Sequence, residues 1–222
     1  MTTFTPRTTR WTLAVLAVVV ALLAALLVEL RDTPPQAGGP PPPNVPPTGP
    51  GREHRDADTP EALAGPRQRA DLEPCPHPGG ETGPPALRGV TAECAADGSV
   101  VDVGPALAGH RVVLNLWAYW CAPCAAELPA MAEYQRRVGP DVMVVTVHED
   151  ENETAALLRL AQLGVRLPTL QDGSRRVAAA LRVPNVMPAT VVLGSDGSVA
   201  QTLPRAFANA DEIATALGDQ TR

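Results

Sequence analysis

Arg111-Val-Val-Leu-Asn-Leu-Trp-Ala-Tyr-Trp-Cys121-Ala-Pro-Cys-Ala-Ala-Glu-Leu-Pro129 is the stretch on which the fold turns. Its first eight residues, to Ala118, are apolar and rich in β-formers, the pattern of a buried strand. From Ala122 to Arg137 the pattern becomes helical. Two residues between Cys121 and Cys124 let both sulfurs meet across one helical turn. Cys121 falls at the helix N-terminus, where unpaired N–H groups and the macrodipole favour an anion, and therefore a thiolate. Cys124, shielded inside the turn, is placed to attack a mixed disulfide formed by Cys121. Pro123 costs no hydrogen bond there, because that N–H has no intrahelical partner.

A bare CxxC also serves as half a zinc site or as a structural pair. Zinc would want a second pair at ligand spacing, and Cys75 and Cys94, 19 apart, do not form one. A strand running directly into CxxC and a helix is the setting that redox chemistry needs.

Working outward, Asp141 to His148 and Ala189 to Leu193 read as further buried strands. Ser195-Asp-Gly-Ser198 reads as a hairpin turn into a strand over Val199 to Leu203. Helical stretches lie over Glu153 to Leu163, Arg175 to Leu181 and Asp211 to Leu217, with Asn152 as an N-cap and Gly164 as a stop. This alternation, closed by a hairpin, predicts an α/β domain with a central mixed sheet flanked by helices, over residues 71–222. His77, His110 and His148 read as surface or packing residues rather than ligands.

The rest of the 222 residues is unlike this domain. Nine of the 25 prolines fall between Pro34 and Pro50, which bars helix or central strand there. Residues 32–70 therefore read as a disordered Pro/Gly-rich linker, with a reach of at most about 120 Å. Before it, Trp11 to Val28 is an apolar run broken only by Thr12, long enough to span a membrane. Arg7 and Arg10 precede the run, and no small-x-small cleavage site ends it. Residues 1–31 thus read as an uncleaved signal-anchor, a single-pass segment with its N-terminus in the cytoplasm and the domain outside; a cleaved signal peptide is the rival. The charge is uneven too: residues 71–222 hold eleven Arg against eighteen acids, a net of −7. An acidic domain without lysine argues against a nucleic-acid partner.

The segment Asn115 to Pro129 resembles the active-site stretch of the thioredoxin superfamily, and is most similar to its exported, membrane-tethered TlpA/ResA-like branch. Val186-Met187-Pro188-Ala189-Thr190, with the strand and turn that follow, resembles the cis-proline loop of the same branch. The likeness implies a thioredoxin-like fold over about residues 85–218 and thiol–disulfide oxidoreductase activity toward protein substrates outside the cytoplasm. It implies a membrane electron donor, and no metal or organic cofactor besides the Cys121–Cys124 disulfide. Residue by residue, Cys121 resembles the nucleophile, Cys124 the resolving cysteine and Pro188 the cis-proline. Met187 resembles the residue whose backbone pairs with substrate. Glu127 matches a glutamate proposed to tune or shuttle protons. Trp117 and Trp120 match aromatics around the site, Trp120 also shaping the substrate surface. Asn115 stands where ordinary thioredoxins carry a buried Asp, so that proton route is absent. Tyr119 stands where small residues are common, which predicts a bulkier rim on the substrate side.

An exported chain with four cysteines is expected to pair them all, which predicts a structural Cys75–Cys94 disulfide; a second, relaying redox pair is the alternative. The direction favoured is reduction of substrate disulfides, in cytochrome c maturation or general thiol redox. Disulfide insertion is the reverse reading. A thiol peroxidase is the remaining one, although the Pro-x-x-x-Thr-x-x-Cys setting of peroxiredoxins is missing before Cys121.

Overall fold

A computed structural model describes residues 58–79 and 83–219, together with Leu16 and Val19, both helical and exposed. The signal-anchor reading of residues 1–31 otherwise lies outside the described residues, as does the linker reading up to residue 57.

Helix α1 (Pro60–Ala70) corrects the linker reading at its C-terminal end. Thr59 caps the helix by accepting from the Ala62 N–H at 3.2 Å, and Pro60 takes the first position, where a missing N–H costs nothing. Pro66 is inside the helix, against its propensity. What holds the helix is packing: Leu63 and Ala70 are buried in a small cluster with Ala95 and Leu157. Arg67 adds ion pairs to Glu93 at 2.8 Å and Glu153 at 2.9 Å.

Strands β1 (Thr91–Cys94) and β2 (Val100–Asp102) form a short hairpin that runs into a helical turn, α2 (Val103–Ala106). Then come β3 (Arg111–Trp117), α3 (Ala122–Val138), β4 (Val142–His148), α4 (Glu153–Leu163), β5 (Thr169–Gln171), α5 (Arg176–Ala180), β6 (Ala189–Leu193), β7 (Val199–Leu203) and α6 (Ala210–Leu217). The seven strands make one mixed sheet in the order β2-β1-β5-β4-β3-β6-β7. β3, β4 and β5 are parallel; the other neighbours pair antiparallel.

Both faces of the central strands are covered, which is why β3 reads as an unbroken apolar run. Alternation divides it: Val112, Leu114 and Leu116 face Leu87, Leu107 and Val177, whereas Val113 and Trp117 face Leu128, Met131 and Tyr134 of α3. Asn115 is on the α3 side by the same parity, and that places its amide against the helix the cysteines begin. Asn152 caps α4 by accepting from the Ala155 N–H at 3.0 Å, and Gly164 ends it in the left-handed region at φ 65°. At the β6–β7 turn, Gly197 has φ 78°, the conformation that the Asp-Gly signal calls for.

Cys75 and Cys94 form the expected disulfide, with Cα atoms 5.8 Å apart. It ties the coil after α1 to an interior strand of the sheet.

Candidate active site

Cys121 is the N-cap of α3, and its sulfur accepts a hydrogen bond from the Cys124 N–H at 3.2 Å. The two cysteines are joined as a disulfide, Cys124 wholly buried and Cys121 6% exposed. Strand β3 delivers the chain here, and Tyr119 and Trp120 make the turn into the helix. In front of Cys121 is an open cleft of about 350 Å³, lined by Trp120, Cys121, Ala122, Pro123, Asn185, Val186 and Met187. Its lining is mainly apolar, and Trp120 stands 59% exposed at its edge. The indole N–H donates to Asp150 Oδ2 at 3.0 Å, so the ring is held rather than loose.

The Met187–Pro188 peptide bond is cis and Pro188 is buried at the base of the loop. The two distant motifs of the sequence, at 120–124 and 186–190, thus meet across one cleft, through Trp120 to Pro123 on one side and Val186 and Met187 on the other. The bond before Pro184, four residues earlier in the same loop, is not cis.

Glu127 lies one turn beyond Cys124 and is fully buried. Its Oε2 accepts from Asn115 Nδ2 at 2.8 Å and its Oε1 from the Phe207 N–H at 3.0 Å. Burial pushes its carboxyl up from 4.5 to about 7, against the downward pull of those two hydrogen bonds and of Arg205. A group poised there gains and loses protons near neutrality. Asn115, which cannot titrate, orients the one that does, and its own Oδ1 is buried without a hydrogen bond among the described residues.

Tyr119 is not among the residues lining the cleft. It is half-buried, packs against the core, and places its ring 6.1 Å from that of His148. The rim is therefore made by Trp120, not by Tyr119. His148 is a packing residue with a definite task that the sequence did not disclose. It is buried, stacks obliquely on Trp117 at 4.9 Å, and accepts the Tyr119 N–H at Nε2 over 3.3 Å. With Nε2 accepting, Nδ1 carries the proton that Gln171 Oε1 receives at 2.7 Å. The ring thus pins the backbone two residues before Cys121. His77 and His110 are exposed. Asn185, which lines the cleft, is not singled out by the sequence; as an isolated polar residue directly after Pro184 it carries no pattern of its own.

A family model described as Redoxin matches residues 80–217. The thiol-disulfide oxidoreductase ResA of Bacillus subtilis (strain 168) is 33% identical over 98 residues, 44% of this chain and 54% of that protein. Thioredoxin 1 of Synechococcus elongatus is 38% identical over 68 residues, 29% of this chain and 60% of that protein. The chain spans about half the length of the ResA relatives it matches. Among solved structures, a secreted Mycobacterium tuberculosis disulfide oxidoreductase homologous to E. coli DsbE superposes with a TM-score of 0.52 at 25% identity, over 61% of this chain and 98% of that one. MTB DsbF, in mixed oxidised and reduced forms, superposes at 0.54 and 25%, over 61% and 97%. The mixed sheet with its flanking helices is a thioredoxin-like α/β fold.

Proposed function

This chain belongs to the redoxin family, in the TlpA/ResA-like part of the thioredoxin superfamily, and on that premise we propose that it is a thiol–disulfide oxidoreductase that reduces disulfides of protein substrates through Cys121 and Cys124. The observation that carries the reading is the Cys121–Cys124 pair at the start of α3, opening on a cleft whose far wall ends in a cis-proline.

In this reading the reduced enzyme attacks first. The Cys121 thiolate, favoured by the N–H groups of the helix start, forms a bond to one substrate sulfur, and the substrate S–S bond breaks. The departing substrate sulfur takes up a proton. Cys124 gives up its proton, attacks the Cys121 sulfur and closes the Cys121–Cys124 disulfide, releasing the second substrate thiol. Two electrons pass from the dithiol to the substrate. Glu127 takes the proton of Cys124: a buried carboxyl near 7, one turn along the same helix, suits that step. Trp120 and the Asn185–Met187 wall hold an extended substrate segment. The dithiol needs no metal or organic cofactor; a second dithiol, at the membrane, resets it.

The finer reading places the domain outside the cytoplasm on an N-terminal anchor, in service of cytochrome c maturation or general thiol redox. It is supported by the apolar run after Arg7 and Arg10 and by the ResA likeness. Topology mapping by cysteine labelling of intact cells tests it. The chemistry is tested with Cys124→Ser in the full chain. This variant, reduced beforehand, is expected to accumulate mixed disulfides at Cys121 when given an oxidised, disulfide-bonded protein substrate; failure to form any would defeat the reading.

A further inference from the structure

The wall of the cleft opposite the dithiol has a support of its own, made of groups the thiol chemistry does not use. Glu149 follows β4 directly, and its side chain is 1% exposed. Its Oε2 accepts from Arg175 Nε at 3.1 Å, while its Oε1 is buried without a hydrogen-bond partner among the described residues. Burial pushes this carboxyl above its ordinary range, and Arg175 is the chief influence holding it down. The carboxylate and the guanidinium therefore need each other.

Arg175 is held from the backbone side as well. It stands in the left-handed region at φ 56°, as the N-cap of α5, and its N–H donates to the Asp172 carbonyl at 2.8 Å. A non-glycine residue there costs about 1 kcal/mol or more, and persists only where its surroundings hold it. Asp172 completes the frame by accepting from the Arg176 and Val177 N–H groups at 2.9 and 2.7 Å. The guanidinium then divides its work. Nε binds Glu149, and Nη1 donates to Oδ1 of Asn185. Asn185, with Val186 and Met187, is the cleft wall that faces Trp120 and Cys121.

A surface ion pair would contribute little to anything. This one differs because its acid is buried, so removing Arg175 leaves an uncompensated carboxyl and an untethered loop together. We propose that Arg175, anchored by Glu149, is a positioning residue that fixes the Asn185–Met187 wall, and so sets how tightly a disulfide substrate is held without touching the sulfur chemistry. The proposal rests on the oxidoreductase reading. It also requires the planar fork: a lysine offers one point charge and cannot serve both partners in this geometry.

The test uses the full chain in detergent, insulin as the disulfide probe and dithiothreitol as the reductant. For Arg175→Met, KM is expected to rise about fivefold, with kcat within about twofold. The Cys121/Cys124 potential, equilibrated against glutathione, should not move. Arg175→Lys should resemble Arg175→Met more than the wild type. Arg176→Met is the control, since that side chain reaches Thr91 at 3.2 Å and not the wall; it should keep the wild-type KM. Independently of turnover, the amides of residues 185–187 should exchange faster in Arg175→Met than in the wild type. An unchanged KM with unchanged exchange overturns the proposal, as does a shift of KM, kcat and potential together. A wild type inert toward insulin counts against the oxidoreductase reading, and amide exchange then still decides whether the brace exists.

Discussion

The protein holds two disulfides whose burial is nearly the same and whose settings are not. Cys75 and Cys94 are 4% and 1% exposed, and Cys121 and Cys124 are 6% and 0%. Exposure alone does not tell them apart. Cys75–Cys94 joins a coil to an interior strand among Leu87, Val101 and Leu170, with the Cys75 sulfur 3.4 Å from the Thr169 carbonyl oxygen. No helix begins at either cysteine. Cys121–Cys124 begins a 17-residue helix, looks onto a cleft, and has a buried acid one turn away. A disulfide becomes a reagent through what surrounds it: donors that stabilise a thiolate, room for a partner, and a group to move the proton.

Exchanging the two roles is the most direct way to break this comparison. Cys121→Ala is expected to reduce insulin turnover to background while leaving the unfolding midpoint close to that of the reduced wild type. The double variant Cys75→Ala/Cys94→Ala should do the reverse. Its closed loop spans 19 residues of sequence separation, which corresponds to about 3 kcal/mol in the chain-entropy model. Urea unfolding should show that loss, and turnover below the transition should persist. If the double variant loses turnover while folded, Cys75–Cys94 is part of the electron path and the contrast fails.

Glu127 sharpens the active side of the comparison. Its carboxyl, at about 7 when folded against 4.5 as an ordinary glutamate, binds its proton more tightly in the folded chain. The stability tied to that proton is full below about pH 4.5 and is lost as the pH rises through 7, a change on the order of 3 kcal/mol. Glu127→Gln should flatten this part of the stability–pH curve, measured by urea unfolding at pH 5 and pH 8. The same variant should lose the limb of the rate–pH profile near neutrality. A profile identical to the wild type would remove Glu127 from proton transfer.

The smallest effect belongs to the staple side. Thr59→Ala removes the cap of α1 and should cost about 1 kcal/mol, seen as faster amide exchange over residues 60–70 with unchanged turnover. A change in turnover would mean that α1 is coupled to the cleft.

What could be read beforehand follows the physics of each element. β3, β4 and β6 are buried on both faces, so their apolar runs were plain, and α4 was bounded on sight by Asn152 and Gly164. β1, β2 and β5 are three or four residues long, and β5 buries Thr169 and Gln171, so neither length nor alternation announced them. α1 did carry end signals, a Thr cap, a leading proline, and arginines in its last turn. They lie at the end of a stretch whose Pro and Gly clusters and polar run read as linker, and the packing against Leu157 that decides for a helix is a contact distant in sequence. At the site, CxxC and Met187-Pro188 were legible as motifs. The His148 pin and the Arg175 brace were not, since each depends on strands and loops meeting across the sheet.

Helix α1 has one more consequence, for how often the domain would meet partners at a membrane. The spacer that the sequence predicts runs from residue 32 to 70, 39 residues, but α1 and its cap take the end from Asp58 on, which leaves 26, from 32 to 57, for that reading. Were those 26 residues extended at about 3.1 Å each, the longest reach would be about 80 Å rather than about 120 Å. For a flexible tether longer than the gap it bridges, effective concentration varies as roughly the −3/2 power of linker length, and 26 residues in place of 39 would raise it about twofold. On the anchored reading, eleven residues of helix held against the domain would bring the dithiol and a membrane-bound donor together more often, with no new contact between them.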